Sequence, residues 1–171
     1  MAKALFITTK DIKRYSVLSG SVDPDRFIYM VEIAQDTEVQ NYLGTKLLDK
    51  LQDLILLGTI NDPGNLAYKT LLETYVKPMT IYWALVCYMP FAAYTVGAKG
   101  VFKGQSENAL TVDKEEVDYL VEKYRDIAQF YTNNFIDFMV YNQNTYPEYN
   151  ANKNDDTYPD TANADFGGWV L

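Results

Sequence analysis

The chain has 171 residues, enough for one domain with a single core, and 48% are hydrophobic, with 15 Tyr, 8 Phe and 2 Trp to offset chain entropy. A formal charge of −8 argues against wrapping a phosphate backbone, which rests on clustered Lys and Arg. The lack of any histidine removes Ser-His-Asp and Cys-His catalysis, His-ligated zinc and the usual proton carrier near neutrality, and a single cysteine excludes an intrachain disulfide.

The opening MAKALFITTKD lacks the apolar stretch of a secretion signal, so cytoplasmic synthesis is expected. Thr8 and Asp11 stand at capping-box spacing and predict a short helix from Thr9 to Tyr15. After a loop through Ser19, Gly20 and Ser21, Asp23 as N-cap, Pro24 at the first helical position and a Val22–Phe27 staple start a long helix. That helix runs to Leu43 and stops at Gly44. Phe27, Met30, Val31 and Ala34 fall on its apolar side. Glu38 projects into the same arc, which reads either as a functional carboxylate or as one with a basic partner or a wet edge. A tight corner at Gly44-Thr45 leads to a third helix, capped by Thr45, buried through Leu47, Leu48, Leu51, Leu54 and Ile55, and ended by Gly58. The Asn61-Asp62-Pro63-Gly64 turn follows, with Asn65 as the next cap.

Residues 78–98, PMTIYWALVCYMPFAAYTVGA, carry no charge. Length alone suggests a membrane span. The hydroxyl-bearing Tyr and Thr, the interior Pro90 and the amphipathic neighbours favour a buried central helix instead, kinked near Pro78 and Pro90, with Cys87 as a small buried hydrophobe. Residues 97–112 read as irregular or as a short hairpin, with Val101 and Phe102 on one side and residues 109–112 on the other. Asp113 then caps a helix from Lys114 to about Tyr141. Val117, Leu120, Val121, Tyr124, Ile127, Ala128, Tyr131, Phe135 and Phe138 share one broad arc of it, and Glu115, Asp118, Glu122 and Asp126 stack opposite.

From Asn142 the composition turns to Asn, Asp, Thr, Tyr and Pro, which cannot bury itself alone. No Gly-rich phosphate loop and no calcium-loop spacing is present, and the acidic stripe reads as a solvated face rather than a cation site. The reading is therefore an all-α protein: a small helical bundle over residues 1–141 with a short irregular or hairpin insertion, and an extended C-terminal arm over residues 142–171. No catalytic residue, cofactor or metal is expected.

The stretch FITTKDIKRYSVLSGSVDPDRFIYMVEIAQDTEVQNYLGTKLLDKL, residues 6–51, resembles the N-terminal part of head-tail connector proteins of tailed bacteriophages, and more closely the ring proteins of crAss-like Bacteroides phages. The shared elements are a capped short helix after FIT, an SG-VD-D loop, a long helix and an LG-L-D-L corner. The later order of apolar helix, irregular segment with SEN and amphipathic helix fits the same family to about residue 141. The resemblance implies a virion structural protein, made in the bacterial host cytoplasm. It forms a ring, typically twelve-fold, below the portal protein, touches identical subunits and downstream tail or ring proteins, and lets DNA pass without specific binding; no membrane is involved. In that setting Glu115, Asp118, Glu122 and Asp126 line the channel, or else merely face solvent. Tyr146, Tyr149, Tyr158, Phe166, Trp169 and Leu171 anchor the arm on a neighbour or the portal, or else the arm folds back over its own core. On the first alternative, removing residues 143–171 leaves a folded helical monomer. A cytoplasmic helical scaffolding module that binds proteins through its aromatic surface is the alternative to the connector.

Overall fold

Thr8 and Asp11 cap the first helix as their spacing predicts: the Thr8 N–H and hydroxyl both donate to Asp11 Oδ2 at 2.8 Å. The computed structural model describes residues 3–15, 24–92, 94–97, 100–103 and 113–162, and over these the chain is all-α apart from one small β-hairpin. The helices are α1 Thr9–Tyr15, α2 Pro24–Ala34, α3 Gln40–Leu56, α4 Leu66–Leu71, α5 Lys77–Tyr88 and α6 Lys114–Asn142. The Val22 staple, the Asp23 cap and the loop before them lie outside the described residues.

Two π-helical turns, Gln35–Val39 between α2 and α3 and Leu72–Val76 between α4 and α5, set the register of the core. On an unbroken α-helix the buried series Phe27, Val31, Ala34 would continue to Glu38. The wider turn accommodates a five-residue step instead, so Val39 and then Leu43 take the fully buried places and Glu38 is left half-buried beside them. Burial still raises the Glu38 pKa above its ordinary 4.5, with Arg125 of α6 pulling the other way. The second π turn stands just before Pro78, which has no N–H to return to the carbonyl of Thr74, and the chain widens there instead of breaking. The first turn also buries Gln35. Its Oε1 accepts from the Phe6 N–H at 2.7 Å and its Nε2 donates to the Ala4 C=O at 3.1 Å, which ties the N-terminal segment down and brings Phe6 and Ile7 into the core.

The corner at Gly44 forms where the sequence places it. Gly44 has φ 74 and ψ 163, a region open essentially to glycine, and a Cβ there would come within 2.8 Å of Asn152 Nδ2 and 2.9 Å of Pro159. Beyond the corner the helix restarts with free N–H groups, and the expected cap is corrected. The Thr45 hydroxyl accepts from the Thr157 N–H (2.9 Å) and from Gln40 Nε2 (3.1 Å). The Thr45 N–H donates to the Thr157 C=O (3.0 Å) and the Lys46 N–H to Asn152 Oδ1 (3.0 Å), so the C-terminal arm does the capping. At its far end α3 stops as predicted, with Gly58 at φ 71 and the Thr59 N–H reaching back to the Leu54 C=O at 3.0 Å. Asn65 does not cap α4; its side-chain amide donates to the Thr59 C=O at 3.0 Å, holding the turn closed.

α5 lies in the centre, packed chiefly on α6 and α2. α6 runs antiparallel to this part of the chain, with Tyr75 stacked on Phe138 at 4.3 Å and Tyr82 on Tyr131 at 5.3 Å. Inside the contact the Trp83 indole N–H donates to Thr132 Oγ1 (3.1 Å), and that hydroxyl donates to the Ala128 C=O (2.9 Å). The helical stretch ends sooner than the apolar run suggests: after a 3-10 turn, Met89–Phe91, the chain enters β1, Tyr94–Gly97, antiparallel to β2, Gly100–Lys103, with Gly97 opposite Gly100. The hairpin thus pairs residues 100–103 with the end of the uncharged run, whereas residues 109–112 were expected as the partner of Val101 and Phe102; those residues lie outside the described ones. No helix among the described residues is long and apolar enough to cross a membrane.

The core does not close at Tyr141. Through 3-10 turns Gln143–Thr145 and Pro147–Asn150 the arm returns over the bundle, burying Tyr146 to 2% and Tyr149 to 4% exposure. The Tyr146 hydroxyl donates to the Ala67 C=O at 3.1 Å, the Tyr68 hydroxyl to Glu148 Oε2 at 2.6 Å, and the Asp160 N–H to the Asn41 C=O at 2.7 Å.

Three outcomes follow for stability. Gly44→Ala lowers the urea-unfolding free energy by at least about 2 kcal/mol, whereas Gly58→Ala, with open space around it, costs about 1 kcal/mol. Ending the chain after Asn142 destabilises it by more than about 3 kcal/mol, read by thermal melting, because two buried tyrosines and the helix cap go with the arm. Glu38→Gln stabilises by about 0.5 kcal/mol or less at pH 7, since a raised pKa makes the ionised form costly in the folded state; the gain fades as pH falls toward 4.5, where the parent carboxyl takes up its proton.

Candidate functional site

α6 carries the most chemistry on its surface. Asp113 opens it with a complete capping box, its side chain accepting from the Glu116 N–H at 3.0 Å. Because α6 is antiparallel to α5, its first turns pass beyond the end of α5, and full burial begins only at Ala128. This corrects the width of the predicted apolar arc. Val121 and Tyr124 pack partly against the core, but Leu120 and Ile127 remain 41% and 37% exposed, beside Tyr119 and Phe130.

Glu115, Asp118, Glu122 and Asp126 are all exposed on the neighbouring face, as the helical spacing predicts. Two of them have basic neighbours on the same helix: Glu122 pairs with Arg125 at 2.9 Å and Asp126 with Lys123 at 3.7 Å. Such pairs add little stability in water, but they reduce the local field to Glu115 and Asp118 at the helix start. No group of three His, Cys, Asp or Glu among the described residues is arranged to hold a metal ion.

The six expected arm anchors divide. Tyr146 and Tyr149 are core residues of their own chain, the first set edge-on against Tyr68 at 5.4 Å and the second against Phe135 at 6.3 Å. Burial, reinforced by Asp160, pushes the Tyr149 hydroxyl up to about 12, so it stays neutral. Tyr158 is 62% exposed and open to a partner. Phe166, Trp169 and Leu171 lie outside the described residues. Cys87 is half-buried, its thiol pKa raised by burial and by the nearby Glu38 charge, which keeps it protonated.

A surface that sequence reasoning passed over lies where α5 and the second π turn meet α6. A cavity of about 210 Å³ is lined by Asp11, Lys77, Pro78, Ile81, Tyr82 and Tyr131, with Glu73 on its edge. Tyr131 also walls a wider groove of about 550 Å³ with Tyr75, Asn134, Asp137, Phe138 and Tyr141. Tyr131 and Phe138 alone gave no sign of it, since helical spacing marks both as apolar-face residues, and Tyr82 sits inside the uncharged run read as a buried helix.

No curated protein and no solved structure matches this chain. A match to a family of unknown function, DUF6712, covers residues 39–159. It begins at Val39, the last residue of the first π turn, and ends at Pro159, which rests against Gly44, so it takes in the bundle together with the arm that seals the corner. With most of its length inside that match, the chain belongs to the family of unknown function DUF6712.

Proposed function

We propose that this protein is a virion structural subunit that forms a ring below the portal, joins the capsid to the tail and continues the DNA channel. The observation that carries the reading is the exposed half of α6, where an acidic face and an apolar one lie side by side on a helix running past its own core. A ring subunit needs both. Tyr119, Leu120, Ile127 and Phe130 supply apolar area for an identical neighbour, while Glu115, Asp118, Glu122 and Asp126 line the lumen and repel passing phosphates. The resemblance over residues 6–51 supports the same reading, as does a charge of −8 on every subunit.

Partner contact through the tail then falls to Tyr158, Phe166, Trp169 and Leu171, because Tyr146 and Tyr149 serve their own core. Channel passage asks for no catalysis, cofactor or specific DNA contact. The protein resides at the head-tail interface of the virion after synthesis in the bacterial host. The scaffolding module is the second reading, favoured by the aromatic groove between the second π turn and α6.

Electron microscopy of the purified protein mixed with the portal protein of the same genome tests the proposal. A ring seated on the portal is expected, with Glu115, Asp118, Glu122 and Asp126 on its inner wall. The four carboxylates on the outer wall would end their channel role, and a protein that never assembles on the portal would end the connector reading. Removing residues 163–171 is expected to weaken portal docking while the melting temperature stays within about 2 °C of the parent.

A further inference from the structure

The geometry points to a receptor for an arginine side chain in the cavity between α1, the second π turn, α5 and α6. The occupant is an extended segment of a partner protein, its guanidinium held at Glu73 and over the Tyr82–Tyr131 stack. The inference is independent of the connector reading.

Size comes first. At about 210 Å³ the cavity falls below the roughly 300–1,000 Å³ of sites for whole drug-sized ligands, and suits one long side chain. Charge comes next. Lys77 Nζ lies 2.8 Å from Glu73 and 3.9 Å from Asp11, so among the lining residues two carboxylates face one ammonium. An anion is disfavoured there and a cation attracted. Asp11 is held in place by both Thr8 donors, whereas the Glu73 side chain is 51% exposed and tied through Oε1 to Lys77, which leaves its second oxygen to accept from a newcomer.

Shape separates a guanidinium from an ammonium. The Tyr82 and Tyr131 rings stack at 5.3 Å, 11° from parallel, and both line the cavity, so a flat aromatic wall there would be the outer face of one ring of the pair. A planar guanidinium lies against such a wall while forking two N–H groups to a carboxylate, and its propyl stem covers Pro78 and Ile81. The neighbouring groove shares Tyr131, and its Thr74, Asn134 and Asn142 offer hydrogen-bonding groups to the backbone on either side of the arginine.

The test uses the full chain and two probes, N-acetyl-arginine amide and its neutral isostere N-acetyl-citrulline amide, followed by NMR at the Tyr82 and Tyr131 rings. The arginine probe is expected to give saturable shifts and to bind at least about fivefold more tightly than citrulline. Glu73→Gln, at an exposed position, is expected to remove most of that difference. Lys77→Met keeps the stem but frees both carboxylates, and is expected to tighten arginine binding. Equal binding of the two probes, no saturable shift, an unaffected Glu73→Gln protein or a Lys77→Met protein that binds arginine no better would each overturn the site.

Discussion

The fold depends on how the helix restarting at Gly44 finds partners for its first N–H groups. A helix start leaves several donors open, and burying them unpaired costs about 1–3 kcal/mol each. Here the donors belong to Thr45 and Lys46, and the acceptors are the Thr157 carbonyl and the Asn152 side chain, more than a hundred positions later. Because Gly44 has no side chain, Asn152 and Pro159 can approach closely enough to serve. The residues between corner and arm must form a bundle of the right size for those ends to meet. Tyr146 and Tyr149 are its closing pieces, not spare anchors.

The two π turns answer a related problem, that of keeping a long apolar helix in register with its neighbours. The first absorbs one residue, so that Val39 follows Ala34 on the buried side, and the second carries Leu72 and Val76 into the core just before Pro78. Glu38 is the visible by-product. It sits half-buried within reach of the Arg125 charge, and its own charge adds to burial in raising the pKa of the neighbouring Cys87 and Tyr42. Arg125 acts on this residue only through its charge, its own ion pair being with Glu122, and burial is the larger effect.

Surface chemistry follows from the same packing. α5 is too short to cover α6, which leaves acidic and apolar faces exposed together near the start of α6. Where the helices do meet, stacked tyrosines and the ion pairs of Lys77 frame a small cavity. An interaction protein can use such features without any catalytic group.

Local chemistry was enough to write the helix starts and stops into the sequence. The Thr8–Asp11 pair, the Asp113 capping box, the Gly44 corner and the Gly58 stop each involve residues within a few positions, so their geometry is set by near neighbours. The acidic face of α6 was legible for the same reason. Three things required the tertiary structure: the π turns, the true width of the buried face of α6 and the fate of the arm. An α-helical period cannot show where a helix takes up an extra residue, nor where its partner ends. A polar arm rich in Tyr and Asn leaves open whether it folds on a partner or on its own core until the open donors of Thr45 and Lys46 and the space above Ala67 and Phe135 are known. Those needs belong to other parts of the chain, and only the assembled bundle brings them together.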